Sequence, residues 1–118
     1  MTTESLIYDT LKTMVGNRVY PDLAPINSQK PFMVYTQVGG ESISFIDNTI
    51  PNKKHGRFQI DVYSDSRAVC AALALQVESA MVGSTVFICK AQGAPVSTYE
   101  LDVLLFGSQQ DFLIWSAR

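Results

Sequence analysis

The sequence predicts an α+β fold: a mostly antiparallel sheet with two helices packed on one face. Three observations predict it. Residues 3–15 and 66–82 repeat apolar side chains at the helical period. Several shorter runs alternate apolar and polar residues, as strands with one covered face do. The order is helix, strands, helix, strands, rather than the strict strand–helix alternation of a parallel sheet. A length of 118 residues and 47% hydrophobic content fit one domain over 1–118 with a single core.

Thr3 to Val15 reads as the first helix. Ile7, Leu11 and Met14 form its stripe, flanked by Leu6, Thr10 and Val15. Thr3 is placed to cap it, and Gly16 sits where a left-handed residue ends a helix. Arg18-Val19-Tyr20 is extended and stops at Pro21. Asp22 to Pro31, with Pro25, Asn27 and Ser28, is loop. In Phe32 to Val38, the residues Phe32, Val34, Thr36 and Val38 share one face, and Met33 and Tyr35 imply cover on the other. Gly56 to Ser64 is the clearest strand, with Phe58, Ile60 and Val62 opposite Arg57, Gln59, Asp61 and Tyr63. The second helix runs from about Ser66 to Val82, capped by Ser64 or Asp65 and stopped at Gly83. Thr85 to Cys89 is a short strand. Ser97 to Phe106 is a longer one, expected to form a hairpin with Asp111 to Ala117 across Gly107-Ser108-Gln109-Gln110. The strings Met14-Val15-Gly16 and Met81-Val82-Gly83, each followed by a strand, read as two uses of one helix stop.

Composition excludes several function classes. Nine basic and 11 acidic residues leave a net charge of −2, against the basic surplus that general nucleic-acid binding needs. His55, the sole histidine, stands beside Lys53 and Lys54 with nothing local to hold it, so it makes a poor general base. Cys70 and Cys89 form no C-x-x-C pair and read as buried free thiols of a reducing cytosol. No phosphate-binding, dinucleotide-binding or zinc-protease string occurs. Glu100 and Asp102, two apart on one strand face, read as a solvated face rather than half a cation site. No catalytic residue, cofactor site or metal site is expected, and neither a signal peptide nor a membrane-spanning run is visible.

Two features do not suit a lone monomer. In the second helix, Val69, Leu73, Val77 and Ala80 form the expected core stripe, yet Ala68, Ala71, Ala72 and Leu75 form a second apolar stripe. Alanines alone would only supply helix propensity; Leu75 favours a contact between copies. The second feature is the 17-residue stretch from Gly39 to His55. Its charges cancel, Glu41 and Asp47 against Lys53 and Lys54, and it carries Ile43, Phe45, Ile46 and Ile50. Burying each such side chain is worth about 1.5–3 kcal/mol, so all four are expected to pack somewhere. The stretch at about 39–56 is either a protruding hairpin arm lying on a neighbour or a loop folded back over its own sheet.

The chain resembles the tail-completion, or head–tail joining, proteins of long-tailed bacteriophages, and its element order is similar to phage tail terminators. The residues that carry the likeness are Leu6-Ile7-Tyr8 and Leu11, then Arg18-Val19-Tyr20-Pro21-Asp22, Ala24-Pro25 and Pro31-Phe32-Met33-Val34-Tyr35. The Gln59-Ile60-Asp61-Val62-Tyr63-Ser64 strand leading into the alanine-rich helix completes it. The likeness runs to about Gly83 and weakens beyond, and the 39–55 stretch matches least. It implies a non-enzymatic subunit of a homo-oligomeric, six-fold ring in the virion at the head–tail interface, assembled in the bacterial cytoplasm. Its implied partners are further copies of itself, the tail tube protein and the head connector, with DNA only passing through the lumen and no membrane. The alternative is a small ferredoxin-like module binding a ligand or nucleic acid, which calls for a basic, aromatic sheet face. The mixed set Arg57, Gln59, Asp61 and Tyr63 does not supply one.

Overall fold

The strings Arg18-Val19-Tyr20-Pro21-Asp22 and Pro31-Phe32-Met33-Val34-Tyr35 are zipped to one another. Strand β1 (Val19–Pro21) pairs in parallel with β2 (Phe32–Gly39), matching Val19 to Met33, Tyr20 to Val34 and Pro21 to Tyr35. The Met33 amide donates to the Arg18 carbonyl, the Asp22 amide to the Tyr35 carbonyl, and Arg18 Nε to the Pro31 carbonyl at 2.9 Å. The computed structural model of the chain describes residues 2–39, 53–100 and 105–117, on which everything below rests. The other elements are α1 (Thr3–Leu11), continued by a tighter turn over Lys12–Met14, β3 (Lys53–Ser64), α2 (Arg67–Val82), β4 (Ile88–Glu100) and β5 (Leu105–Ala117).

The sheet order is β1-β2-β3-β5-β4, with every pairing antiparallel except β1 with β2. Its core face carries Met33 and Tyr35 of β2, Phe58, Ile60 and Val62 of β3, and Phe112 and Ile114 of β5. These pack in one cluster with Ile7 and Leu11 of α1 and with Cys70, Leu73, Val77 and Met81 of α2. The core residues of β2 are thus Met33 and Tyr35, although Phe32 and Val34 on the other face are buried as well.

Several local expectations are corrected. Thr2, not Thr3, caps α1, its side chain accepting from the Ser5 amide at 3.1 Å; Thr3 is buried and shares a hydrogen bond with Ser116 of β5. Ser66 caps α2, while Ser64 Oγ accepts from the Ser66 amide. The buried stripe of α2 is Cys70, Leu73, Ala74, Val77 and Met81, one step round from the one that begins at Val69. Valine outranks cysteine on hydropathy, but a small free thiol buries more readily against a sheet, and Cys70 Sγ donates to the Val62 carbonyl. The two helix stops also differ. Gly16 is left-handed, at φ +57°, whereas Gly83 lies at φ −84°, where a Cβ would come 2.9 Å from the Ser79 carbonyl oxygen. One glycine satisfies a backbone angle and the other a close approach.

The largest correction concerns the last hairpin. Gly107-Ser108-Gln109-Gln110 is not a turn but part of β5, which pairs with β3 from Lys53–Ala117 to Ser64–Phe106. β4 likewise runs unbroken through the gap between the two expected strands, with a register shift between Gln92 and Val96. The polar run is held inside the sheet by partners on other elements, although Gln110 Oε1 is buried without one among the described residues. Gln110 Nε2 donates to Glu78 of α2 at 3.2 Å and to the Gly93 carbonyl at 3.0 Å. Gly107 is packed so tightly that a Cβ would collide with Thr98 Oγ1 and come within 3.1 Å of the Tyr63 ring. β3 also begins earlier than expected, Lys53–His55 already pairing with β5; the arm or folded-back loop expected at about 39–56 falls mostly outside the described residues.

On the opposite face, Phe32 and Val34 line a depression of about 290 Å³ with Asp22, Leu23, Ala24, Asp61, Tyr63 and Leu105. Asp61 is buried there and accepts from Gln59 Nε2 at 2.9 Å and from the Tyr63 hydroxyl at 3.4 Å. Burial pushes its pKa above the ordinary carboxylate value, the two hydrogen bonds oppose the shift, and nearby Asp111 adds to it.

Two predictions follow from this packing. Gly107→Ala lowers stability by about 1–3 kcal/mol, read as a fall in thermal midpoint, because the collision lies between two paired strands that cannot separate. Asp61→Asn raises the thermal midpoint at pH 7. The folded state holds the Asp61 proton more tightly than the unfolded chain does. Stability from that proton is therefore complete below the ordinary carboxylate pKa and is lost as pH rises through the raised value. The advantage of the variant should shrink as the pH is lowered; an advantage that grows toward acid contradicts the assignment.

Candidate interaction surface

The groups most able to do covalent or metal chemistry are not gathered. Cys70 is buried and Cys89 half-buried, both as free thiols. Burial raises the Cys70 pKa, with Arg67 opposing, and pushes that of Cys89 up to about 11, so neither is a ready thiolate at neutral pH. Among the described residues no three histidine, cysteine or acidic side chains come together to hold a metal ion, and no helix is long and apolar enough to cross a membrane. Lys53, Lys54 and His55 begin β3, Glu100 ends β4, and Asp102 lies outside the described residues. The sheet face with Arg57, Gln59, Asp61 and Tyr63 is mixed in charge: Arg57 is held by Asp111, with N–O distances of 2.7 and 2.8 Å.

The apolar surface is more informative. Seating Cys70, Leu73, Ala74, Val77 and Met81 on the sheet turns the rest of α2 outward. Ala68, Ala71, Ala72 and Leu75 follow one another at i, i+3, i+4 and i+7 and are all exposed, Leu75 by 64%. Val69 and Val82 are exposed on the same helix. Ile43, Phe45, Ile46 and Ile50 lie outside the described residues.

Beside this face, α2 and β4 leave a groove of about 290 Å³ lined by Arg67, Ala71, Ala74, Leu75, Pro95, Ser97 and Ser108. Arg67 is held in place within this lining. Its guanidinium donates to the Gly107 and Thr98 carbonyls at 3.2 and 2.8 Å and lies 5.1 Å from the centre of the Phe106 ring. β4, the outer strand of the described sheet, also exposes Ile88 and Val96.

A second exposed apolar group is one that sequence reasoning missed. Leu23 and Ile26, in the loop that joins β1 to β2, are exposed by 83% and 93%. The loop is nonetheless ordered by its ends, by a turn from the Ser28 amide to the Pro25 carbonyl and by the Tyr20–Ser28 hydroxyl pair at 3.1 Å. The available signal was two large aliphatics inside a stretch otherwise rich in proline and polar turn residues.

Comparison with known proteins supplies the context for these surfaces. The family described as "Tail completion protein gp17" matches residues 8–115, which extends the likeness well past Gly83, along β4 and into β5. No curated protein matches the chain in sequence. Among solved structures, a chain of the "Virion of native gene transfer agent (GTA) particle" superposes with a TM-score of 0.63 at 18% identity, covering 95% of this chain and 92% of that one. At that identity the superposition speaks for the fold. The family match, spanning nearly every element described above, shows that this chain belongs to the tail completion protein gp17 family.

Proposed function

We propose that this chain is a non-enzymatic virion protein that caps the tail tube and joins tail to head by closing into a homo-oligomeric, six-fold ring. Its family gives it a structural role in the phage tail. The observation that carries the finer reading is the outward face of α2. A monomer leaves Leu75 and its alanine neighbours in water, and these small side chains let another surface approach closely. Both helices contribute to one core cluster, which supports their lying together on one side of the sheet with the outer face of α2 free for a neighbour.

In this reading the work is done by surface complementarity. One face of the ring ends polymerisation of the tail tube protein and the other receives the head connector. The gene transfer agent chain of the same fold comes from a virion particle, which supports placing this chain in the virion as well. A net charge of −2 suits a lumen through which DNA passes, because a strongly basic lining would hold phosphates. Ile43, Phe45, Ile46 and Ile50 belong to the proposed interface on sequence grounds. Among the described residues, the pairing of Arg57 with Asp111 and the burial of Asp61 give the ligand- or nucleic-acid-binding alternative no basic sheet face to use.

Leu75→Asp tests the reading. The side chain is exposed in the subunit, so circular dichroism and the thermal midpoint should be unchanged within about 0.5 kcal/mol. At a contact the new carboxylate must be desolvated, which costs several kcal/mol. Electron microscopy of phage lysates carrying only this variant should show filled heads and separate tails. Normally joined particles would remove Leu75 from the interface.

A further inference from the structure

Two unlike apolar features sit at opposite edges of the same sheet. β1 forms one edge, and the loop that leaves it displays Leu23 and Ile26. β4 forms the other, and with α2 it bounds the groove lined by Ala71, Ala74, Leu75 and Pro95. We propose that copies of this chain associate head to tail, the Leu23–Ile26 loop of one copy seating in the α2–β4 groove of the next. The inference rests on the ring reading and supplies its contact: a head-to-tail contact between opposite edges repeats from copy to copy and makes a ring when its rotation closes, whereas α2 against α2 would stop at a dimer.

Shape and charge support a second copy as the occupant. The groove, at about 290 Å³, is lined by Ala71, Ala74, Leu75 and Pro95 and admits aliphatic side chains. The loop offers two such side chains, almost fully exposed in the subunit, on a backbone held by the hydrogen bonds at the loop's base, so little backbone freedom is lost when they dock. Charges match as well. Arg67, one of the groove's lining residues, is part-buried against two carbonyls and the Phe106 ring, and among the described residues no carboxylate pairs with it. Asp22, next to Leu23, is exposed at the start of the loop and brings the opposite charge. Because α2 lines the groove with Ala71 and Leu75, the seated loop also covers part of the apolar face that a monomer leaves wet.

The test mixes two broken subunits. A loop variant, Leu23→Asp with Ile26→Asp, keeps its groove; a groove variant, Leu75→Asp, keeps its loop. All substituted side chains are exposed, so both variants should fold, which circular dichroism confirms. In sedimentation velocity over a range of concentrations, the wild type should form the closed oligomer and each variant alone should stay a monomer. Their equimolar mixture should form a one-to-one heterodimer and nothing larger, since one intact contact remains. Single Leu23→Ser or Ile26→Ser changes should weaken wild-type assembly about 10- to 100-fold. Asp22→Asn, which tolerates the positive φ of 62° at that position, should weaken it about 3- to 10-fold at low salt, with the difference vanishing at high salt. If the loop variant assembles like the wild type, or the mixture stays monomeric while the wild type assembles, the loop-in-groove contact is overturned and the ring stands. A wild type that remains monomeric at every concentration overturns the ring and this contact together.

Discussion

The seating of α2 on the sheet is the constraint from which the rest of the structure follows. A 16-residue helix lying on β3 and β5 can press only one stripe against them, here Cys70, Leu73, Ala74, Val77 and Met81. That stripe completes the cluster around Ile60, Phe112 and Ile114, so neither helix nor sheet could bury its apolar surface without the other. Seating that stripe fixes the orientation of every other residue of the helix. Ala68, Ala71, Ala72 and Leu75 face outward because the core lies on the other side. The same seating places Arg67, Ala71 and Leu75 in the lining of the groove against β4.

A second consequence is the polar row beneath the helix. Ser108, Gln110 and Ser116 occupy core-facing positions of β5 among Phe112 and Ile114. Buried polar groups are costly unless hydrogen-bonded. The Gln110 amide nitrogen meets that condition through Glu78 and the Gly93 carbonyl, and Ser116 through Thr3, whereas Gln110 Oε1 is buried with no partner among the described residues; α1, α2 and β4 are each tied to β5 by a polar contact as well as by packing. Such contacts have few geometries, which favours one register of helix over sheet.

Legibility of the sequence divides along the same physical lines. Both helices, the strand from Gly56 to Ser64 and the α+β class were readable because their patterns depend on local period alone. The end of the chain was not. Gly107-Ser108-Gln109-Gln110 has the composition of a turn, and only partners far away in sequence, Glu78, Tyr63 and Thr98, make it a strand. The buried stripe of α2 was displaced by one position for a similar reason: Cys70 is buried by its fit to the Val62 carbonyl, which no hydropathy scale records. The outward positions of Ala68, Ala71, Ala72 and Leu75 were legible as a second stripe, while the exposed Leu23 and Ile26 were hidden inside a loop. The two strings that carried the family likeness do no chemistry. They are the mutually bonded stretches of β1 and β2, which flank that loop.

The central claim is that the outward face of α2 is covered in the assembled tail. Its most direct test is thiol labelling of an Ala72→Cys variant, first as the free subunit and then in purified particles, with labelled sites read after denaturation. The native thiols give little background, Cys70 being buried and Cys89 having its pKa pushed up to about 11. The account predicts rapid labelling at position 72 in the subunit and strong protection in the particle. Equal labelling in both would mean that this face of the helix stays in water, and the account would be contradicted.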